Sequence, residues 1–178
     1  AQLLQTSLPA DIAWYGHLPR DIDAAMPERH LGLLPAAEIE GLSQRIERMA
    51  DLLASTAAAA LPPVVSFREA APPVLAPLLR GKTIAVARDA AFCFLYPANL
   101  DCLEMLGATI RYFSPLTDPR LPDCDAVWLP GGYPELHGEA LSRNRAPWSA
   151  LAMHVDSGKP VLAECGGMMA LFETLSDV

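Results

Sequence analysis

The stretch Pro160-Val161-Leu162-Ala163-Glu164-Cys165-Gly166-Gly167-Met168 constrains the fold more than any other part of the chain. A short apolar run after Gly158-Lys159-Pro160 has the length of a buried strand, and helix-compatible residues from Met168 to Leu175 follow the glycine pair, so Cys165 is expected at a strand-to-helix turn. The spacing small-x-Cys-x-Gly, with Ala163 and Gly167 as the small neighbours, is the thiol counterpart of the nucleophile elbow. In that turn, small neighbours make room for a sharp, strained backbone that holds the nucleophile clear of the sheet. A helix beginning there would favour thiolate over thiol and leave backbone N–H groups for a developing oxyanion. Two readings compete at this point: an activated cysteine, and a buried structural cysteine beside a Gly-rich turn.

The chain has 178 residues, is 52% hydrophobic and carries a net charge of −8, which bounds it to one ordinary domain or pieces of two. No Lys/Arg cluster interrupts the acidic balance, so neither a nucleic acid nor a membrane surface is expected as partner. Cys93, Cys102, Cys124 and Cys165 are widely spaced, with no CxxC pair and no Cys/His grouping at zinc spacing. A disulfide framework and a metal site are therefore not expected, and a reducing, cytoplasmic setting is. There is no secretory n- and h-region and no apolar run of about 18 residues, so a soluble protein acting on small molecules is the expectation. A first residue Ala1 and a last residue Val178 just after a helix begins suggest an internal piece of a longer protein.

Ile12 to Leu18 reads as a strand closed by Pro19-Arg20-Asp21, and a loop through Pro27 to Leu33 follows. From Ala37 the apolar positions Ile39, Leu42, Ile46, Met49 and Leu53 recur at helical spacing, which predicts an amphipathic helix to about Ala59, an outer helix of an α/β layer. Pro62, Pro63, Pro72, Pro73 and Pro77 then mark a stiff linker and a domain boundary. Beyond it, strand and helix alternate: strands over Thr83–Ala87, Thr109–Phe113 and Ala126–Leu129, helices over Asn99–Leu106 and Ala146–Ser157, then the strand of the elbow. Repeated βα units of this length imply an α/β fold with a doubly wound, mainly parallel sheet and chemistry at the carboxyl ends of its strands.

Gly81-Lys82-Thr83 has the ending of a phosphate-binding loop, but Ala76 stands where that loop needs its first glycine and a strand follows where it needs a helix. Leu129-Pro130-Gly131-Gly132-Tyr133-Pro134-Glu135 is more informative. An apolar strand running straight into two glycines brings bare N–H groups to the rim of a site. Beside the cysteine elbow, this turn would supply the second half of an oxyanion hole, and the pair points to a cysteine acyl-transfer site.

Pro130-Gly131-Gly132-Tyr133-Pro134-Glu135-Leu136 followed by Ala163-Glu164-Cys165-Gly166-Gly167 resembles the class I (triad) glutamine amidotransferase domain of the cobyrinic/cobyric acid synthase type, in its cobyrinic acid a,c-diamide synthase form. Ala85 to Phe92 and Glu28 to Leu33 agree with it, so the resemblance covers nearly the whole chain. It implies that residues 1–68 are the C-terminal remnant of a P-loop-type, ATP-dependent synthetase domain, 69–81 a Pro-rich linker, and 82–178 the first part of the glutaminase domain. It further implies that Cys165 attacks the side-chain amide of glutamine while Gly132 and Gly166 offer N–H groups to the oxyanion. The ammonia released would amidate the a and c acetate carboxylates of cobyrinic or hydrogenobyrinic acid, a corrinoid polycarboxylate, with ATP and Mg2+ used by the full-length enzyme and neither bound by this piece.

The departures carry weight too. The P-loop of the family's synthetase domain is absent, and the family's catalytic histidine lies beyond Val178, so the piece alone is expected to be inactive. His137 follows the glycine turn and is a weak candidate base; His154 belongs on a helix face away from the site. Tyr133, Arg88 and Asp89 are candidates for binding substrate at the same rim, Asp89 with a turn-capping role as its competing reading. Arg29 and His30 are candidates for contact with substrate or a neighbouring domain, against a purely structural loop. Alternatives are a sister amidotransferase (cobyric acid synthase or a nickel-tetrapyrrole a,c-diamide synthase), a free-standing cysteine hydrolase and a non-catalytic glutaminase-like binding module. An incomplete sheet would expose an edge, so a homo-oligomer is a further expectation.

Overall fold

The structure, a computed structural model, describes residues 2–28, 34–60, 63–69 and 75–174. The chain divides into two compact units, 1–70 and 71–178.

The first unit holds two α-helices, α1 (Gln2–Ser7) and α2 (Leu42–Ala54), and two 3-10 turns, Ala36–Glu38 and Ala57–Ala59. Two expectations fail here. Ile12–Leu18 forms no strand: Gly16 sits at φ +108, which breaks the extended alternation, and the stretch has no partner strand among the described residues. The single helix over 37–59 is broken, because Gly41 adopts a left-handed conformation (φ 65) and α2 starts afresh after it. Ile46 and Leu53 of its apolar stripe stay exposed, and Ala24 is the one buried residue among those described in this unit. No α/β layer forms here among the described residues. Asp21 ties the unit together: its Oδ1 accepts from the N–H groups of Asp23 and Ala24 and its Oδ2 from Arg48 at 2.7 and 2.9 Å.

The second unit is an α/β layer built on four parallel strands, β1 (Thr83–Ala87), β2 (Thr109–Phe113), β3 (Ala126–Leu129) and β4 (Val161–Ala163), in the order β2-β1-β3-β4. β1 reads Thr-Ile-Ala-Val-Ala, a continuous apolar run, and its last four residues are buried, as a strand covered on both faces must be. Its side chains divide between two cores. Ile84 and Val86, with Trp128, pack against Leu100 and Leu103 of α3 (Pro97–Met105); Ala85 and Ala87, with Val127 and Leu129, pack with Leu141 of α4 (Gly138–Arg143) and Leu151 of α5 (Arg145–Asp156). The chain leaves β1 to one side for β2, then crosses back for β3 and β4. The sheet is thus doubly wound, and its switch point lies between β1 and β3.

The opposite, amino end of the sheet is closed by structural contacts. Asp125 accepts from the Thr83 N–H at 2.8 Å and from Lys82 Nζ at 3.2 Å, and these partners, the Thr83 amide first, hold its carboxyl below the usual range. Lys82 is thereby occupied and Thr83 opens a strand, so Gly81-Lys82-Thr83 does not fit a nucleotide phosphate. His154 is buried there, Nε2 3.2 Å from the Pro160 carbonyl and Nδ1 3.8 Å from Cys124 Sγ. The end of the Pro-rich stretch belongs to this unit as well: Leu79 N–H donates to Leu106 O at 2.9 Å.

Candidate active site

The site is assembled from the two turns that leave β3 and β4 at the carboxyl end. After Ala163, Glu164 extends the ladder by donating its N–H to Leu129 O at 3.2 Å, and its Oε1 accepts from Trp128 Nε1 at 3.0 Å. The next residue reverses the chain. Cys165 sits at φ 51, ψ −122, the single non-glycine residue with positive φ among those described, and it is exposed. The helix α6 (Gly166–Met169) starts at once, with Met168 and Met169 N–H groups donating to Cys165 O at 3.0 and 3.1 Å. Here the expected helix over Met168–Leu175 is corrected: it begins two residues earlier and spans four residues, because the glycine pair allows the first turn to press onto β3. A Cβ on Gly167 would lie 2.1 Å from Leu129 O.

The second turn follows β3. Gly131 accepts the Phe94 N–H at 3.0 Å in an isolated antiparallel bridge, and a Cβ at Gly131 would lie 3.3 Å from Cys165 Cβ. A Cβ at Gly132 would lie 2.0 Å from Ala91 O, so the chain around Ala91 and Phe92 lies flat against this turn. A Cβ at Gly166 would stand 2.9 Å from Gly132 N. Among the described residues, neither Gly132 nor Gly166 donates its N–H to a protein acceptor. Two unused donors thus flank an exposed cysteine held in a strained elbow, an arrangement suited to a thiol that attacks a carbonyl and generates an oxyanion.

The other candidates fall as follows. Tyr133 is buried, its ring edge-on to Phe94 with centroids 5.3 Å apart. Arg88 lies over the Tyr112 ring at 4.9 Å, on the β2 side of the sheet. Asp89 uses both carboxylate oxygens within the protein, Oδ1 for the Ala91 and Phe92 N–H groups and Oδ2 for the Ser114 hydroxyl and Leu116 N–H. Arg29 and His30 lie outside the described residues. His137 closes the 3-10 turn Pro134–His137, half-buried, while His154 bonds at the far end of the sheet. Glu135 Oε2 is buried without a hydrogen-bond partner among the described residues.

Ala91 and Phe94 are residues that hold the glycine turn. The one local signal for them is the Asp89-x-Ala91-Phe92 spacing of an Asx turn. No group of three or more His, Cys, Asp or Glu side chains suited to a metal ion occurs among the described residues. No helix among them is long and apolar enough to cross a membrane.

Comparison with known proteins points the same way. Residues 83–178 match the model of the CobB/CobQ-like glutamine amidotransferase domain. A hydrogenobyrinate a,c-diamide synthase from Stutzerimonas stutzeri (strain A1501) is 54% identical over 99% of this chain and 41% of its own length. The protein of the same name from Pseudomonas aeruginosa PAO1 is 48% identical over 99% of this chain and 41% of its own length. A cobyrinate a,c-diamide synthase from Herminiimonas arsenicoxydans is 48% identical over 86% of this chain and 36% of its own length. The chain therefore spans about two-fifths of the length of the curated relatives it matches.

Proposed function

Since this chain belongs to the CobB/CobQ-like glutamine amidotransferase family, we propose that Cys165 is the nucleophile of a glutaminase site whose ammonia is used by the whole protein to amidate a corrinoid acid. The observation that carries the reading is the meeting of the strained Cys165 with the unused N–H groups of Gly132 and Gly166.

In the reaction, the Cys165 thiolate adds to the side-chain amide carbon of glutamine, and the carbonyl oxygen takes the negative charge between the two N–H groups. The tetrahedral adduct collapses with loss of ammonia, whose third proton comes from the acid that received it from the thiol. Water then cleaves the γ-glutamyl thioester to glutamate and restores the thiol. Splitting amide hydrolysis into two steps lowers each barrier, and a preorganised oxyanion donor is worth on the order of 100-fold in rate. The proton-transferring group is assigned to the rest of the whole protein, as the family resemblance implies, because the bonds of His154 commit it to the other end of the sheet.

The relatives' names support hydrogenobyrinate or cobyrinate as the acceptor, with the a and c carboxylates amidated. Residues 1–68 are assigned to the synthetase part, where ATP and Mg2+ would supply carboxylate activation in the whole protein.

The test is glutamine-dependent ammonia release by the whole protein, by the 178-residue chain and by a whole-protein Cys165→Ala variant. Release by the whole wild-type protein alone is expected. Equal release by Cys165→Ala would make the elbow structural and overturn the reading.

A further inference from the structure

The ladder that carries β3 ends before the turn that matters. Trp128 pairs with Val86 and Leu129 with Ala163, and past Leu129 the pairing that reaches this turn among the described residues is the isolated bridge of Gly131 with Phe94. Their orientation comes from the segment after β1. Phe94 donates to Gly131 O, while Ala91 O and Phe92 Cα would stand 2.0 and 3.0 Å from a Cβ at Gly132. Ala91 and Phe92 are fully buried, so this segment has no room to shift without carrying the glycine turn along.

One carboxylate holds that segment. Asp89 Oδ1 accepts from Ala91 N–H at 2.9 Å and Phe92 N–H at 3.2 Å, and Oδ2 accepts from the Ser114 hydroxyl at 2.8 Å and Leu116 N–H at 3.0 Å. It clamps the turn after β1 to the segment after β2 with four donors. We propose, building on the glutaminase reading above, that Asp89 is a positioning residue for the oxyanion turn: through Ala91, Phe92 and Phe94 it fixes where the Gly132 N–H sits beside Gly166 and Cys165. Its carboxylate is saturated by the protein and acts on the reaction only through that geometry.

An amide cannot replace it. Asn has one acceptor oxygen, and its NH2 would face the two donors on the other side, so one half of the clamp opens. In the whole protein, Asp89→Asn is expected to lower kcat for glutamine hydrolysis on the order of 100-fold, the scale of a misplaced or lost oxyanion donor. KM for glutamine is expected within about twofold of wild type. Alkylation of Cys165 by iodoacetamide, followed by peptide mapping, is expected at the wild-type rate, because displacement of iodide by the thiolate creates no oxyanion.

A raised KM with kcat retained would mean direct substrate contact and overturn the proposal. Hydrolysis and alkylation falling together with the folded fraction would leave only a folding role and overturn it as well. Wild-type protein that releases ammonia beside an equally active Asp89→Asn variant would sink the positioning role alone; wild-type protein that releases none would remove the glutaminase reading and this role with it. If Asp89→Asn does not fold, Ser114→Ala carries the test. Loss of one clamp bond is expected to reduce kcat about fivefold with unchanged alkylation, and an unaltered kcat would overturn the proposal.

Discussion

Gly166 and Gly132 meet backbone to backbone: a Cβ on Gly166 would stand 2.5 Å from the carbonyl oxygen and 2.9 Å from the nitrogen of Gly132. Two turns from separate strands close to form one site only because neither carries a side chain at the contact. The strain at Cys165, the packing of Gly167 on Leu129 and the clamp at Asp89 all serve that approach.

Glycine positions at this contact should therefore tolerate no methyl group. Gly132→Ala and Gly167→Ala each place a Cβ within 2.0–2.1 Å of a backbone oxygen that cannot rotate away, and each is expected to cost about 3 kcal/mol or more. Gly138→Ala meets no atom within 4 Å at the start of α4 and serves as control; it should be neutral or stabilising by up to about 1 kcal/mol. Urea midpoints of the three variants check this, and a stable Gly132→Ala protein would contradict the packing.

Replacing the nucleophile separates strain from function. At φ 51, ψ −122 only glycine is unstrained, so Cys165→Gly is expected to be more stable than Cys165→Ala by about 1 kcal/mol, while neither variant releases ammonia. Thermal or urea unfolding of the pair measures the difference. A Cys165→Ala protein as stable as Cys165→Gly would mean that the elbow relaxes in solution.

Cys124 and His154 form a buried pair of fixed polarity. The Pro160 carbonyl can only accept, so His154 Nε2 carries the proton and Nδ1 accepts from the Cys124 thiol. Burial pushes that thiol above its ordinary value of 9.0. The unfolded thiol then ionises first, so its contribution to stability is complete below pH 9.0 and is lost as pH rises above it. Wild type is expected to lose stability there faster than Cys124→Ala, read from urea midpoints on both sides of pH 9.0. Iodoacetamide at neutral pH should label Cys165 and Cys102, both exposed, and spare Cys124. Labelling of Cys124 at the rate of Cys102 would contradict its burial.

At the acid end, Asp125 is the group to watch. The Thr83 amide and Lys82 hold its carboxyl below the ordinary 3.8, so its stabilising effect is present above that pH and disappears as pH falls through the folded-state value. Asp125→Asn is expected to lower the urea midpoint at neutral pH, with the gap to wild type closing in acid. A gap of constant size across pH would assign the loss to packing instead.

Much of the second unit is legible in the sequence. Thr83–Ala87, Thr109–Phe113 and Ala126–Leu129 are strands with the expected bounds, since short apolar runs between turn residues have few other ways to bury themselves. The first unit is harder to read. Ile12–Leu18 has the composition of a strand but lacks a partner among the described residues, and one glycine, Gly41, overrides the helical period that runs through it.

The site shows the same division. The small residues around Cys165 and the glycine pair after Leu129 are local steric requirements, so the sequence alone determines that a sharp elbow and a bare turn can form there. It cannot determine that Asp89 binds Ser114 and Leu116, that Phe94 secures Gly131, or that His154 is spent on Pro160 and Cys124. Several of these contacts join segments that meet only because the strand order is β2-β1-β3-β4, and hydrogen-bond partners are set by proximity in space. The chemistry of the cysteine is therefore written locally, while the aim of the donors around it is decided by the tertiary fold.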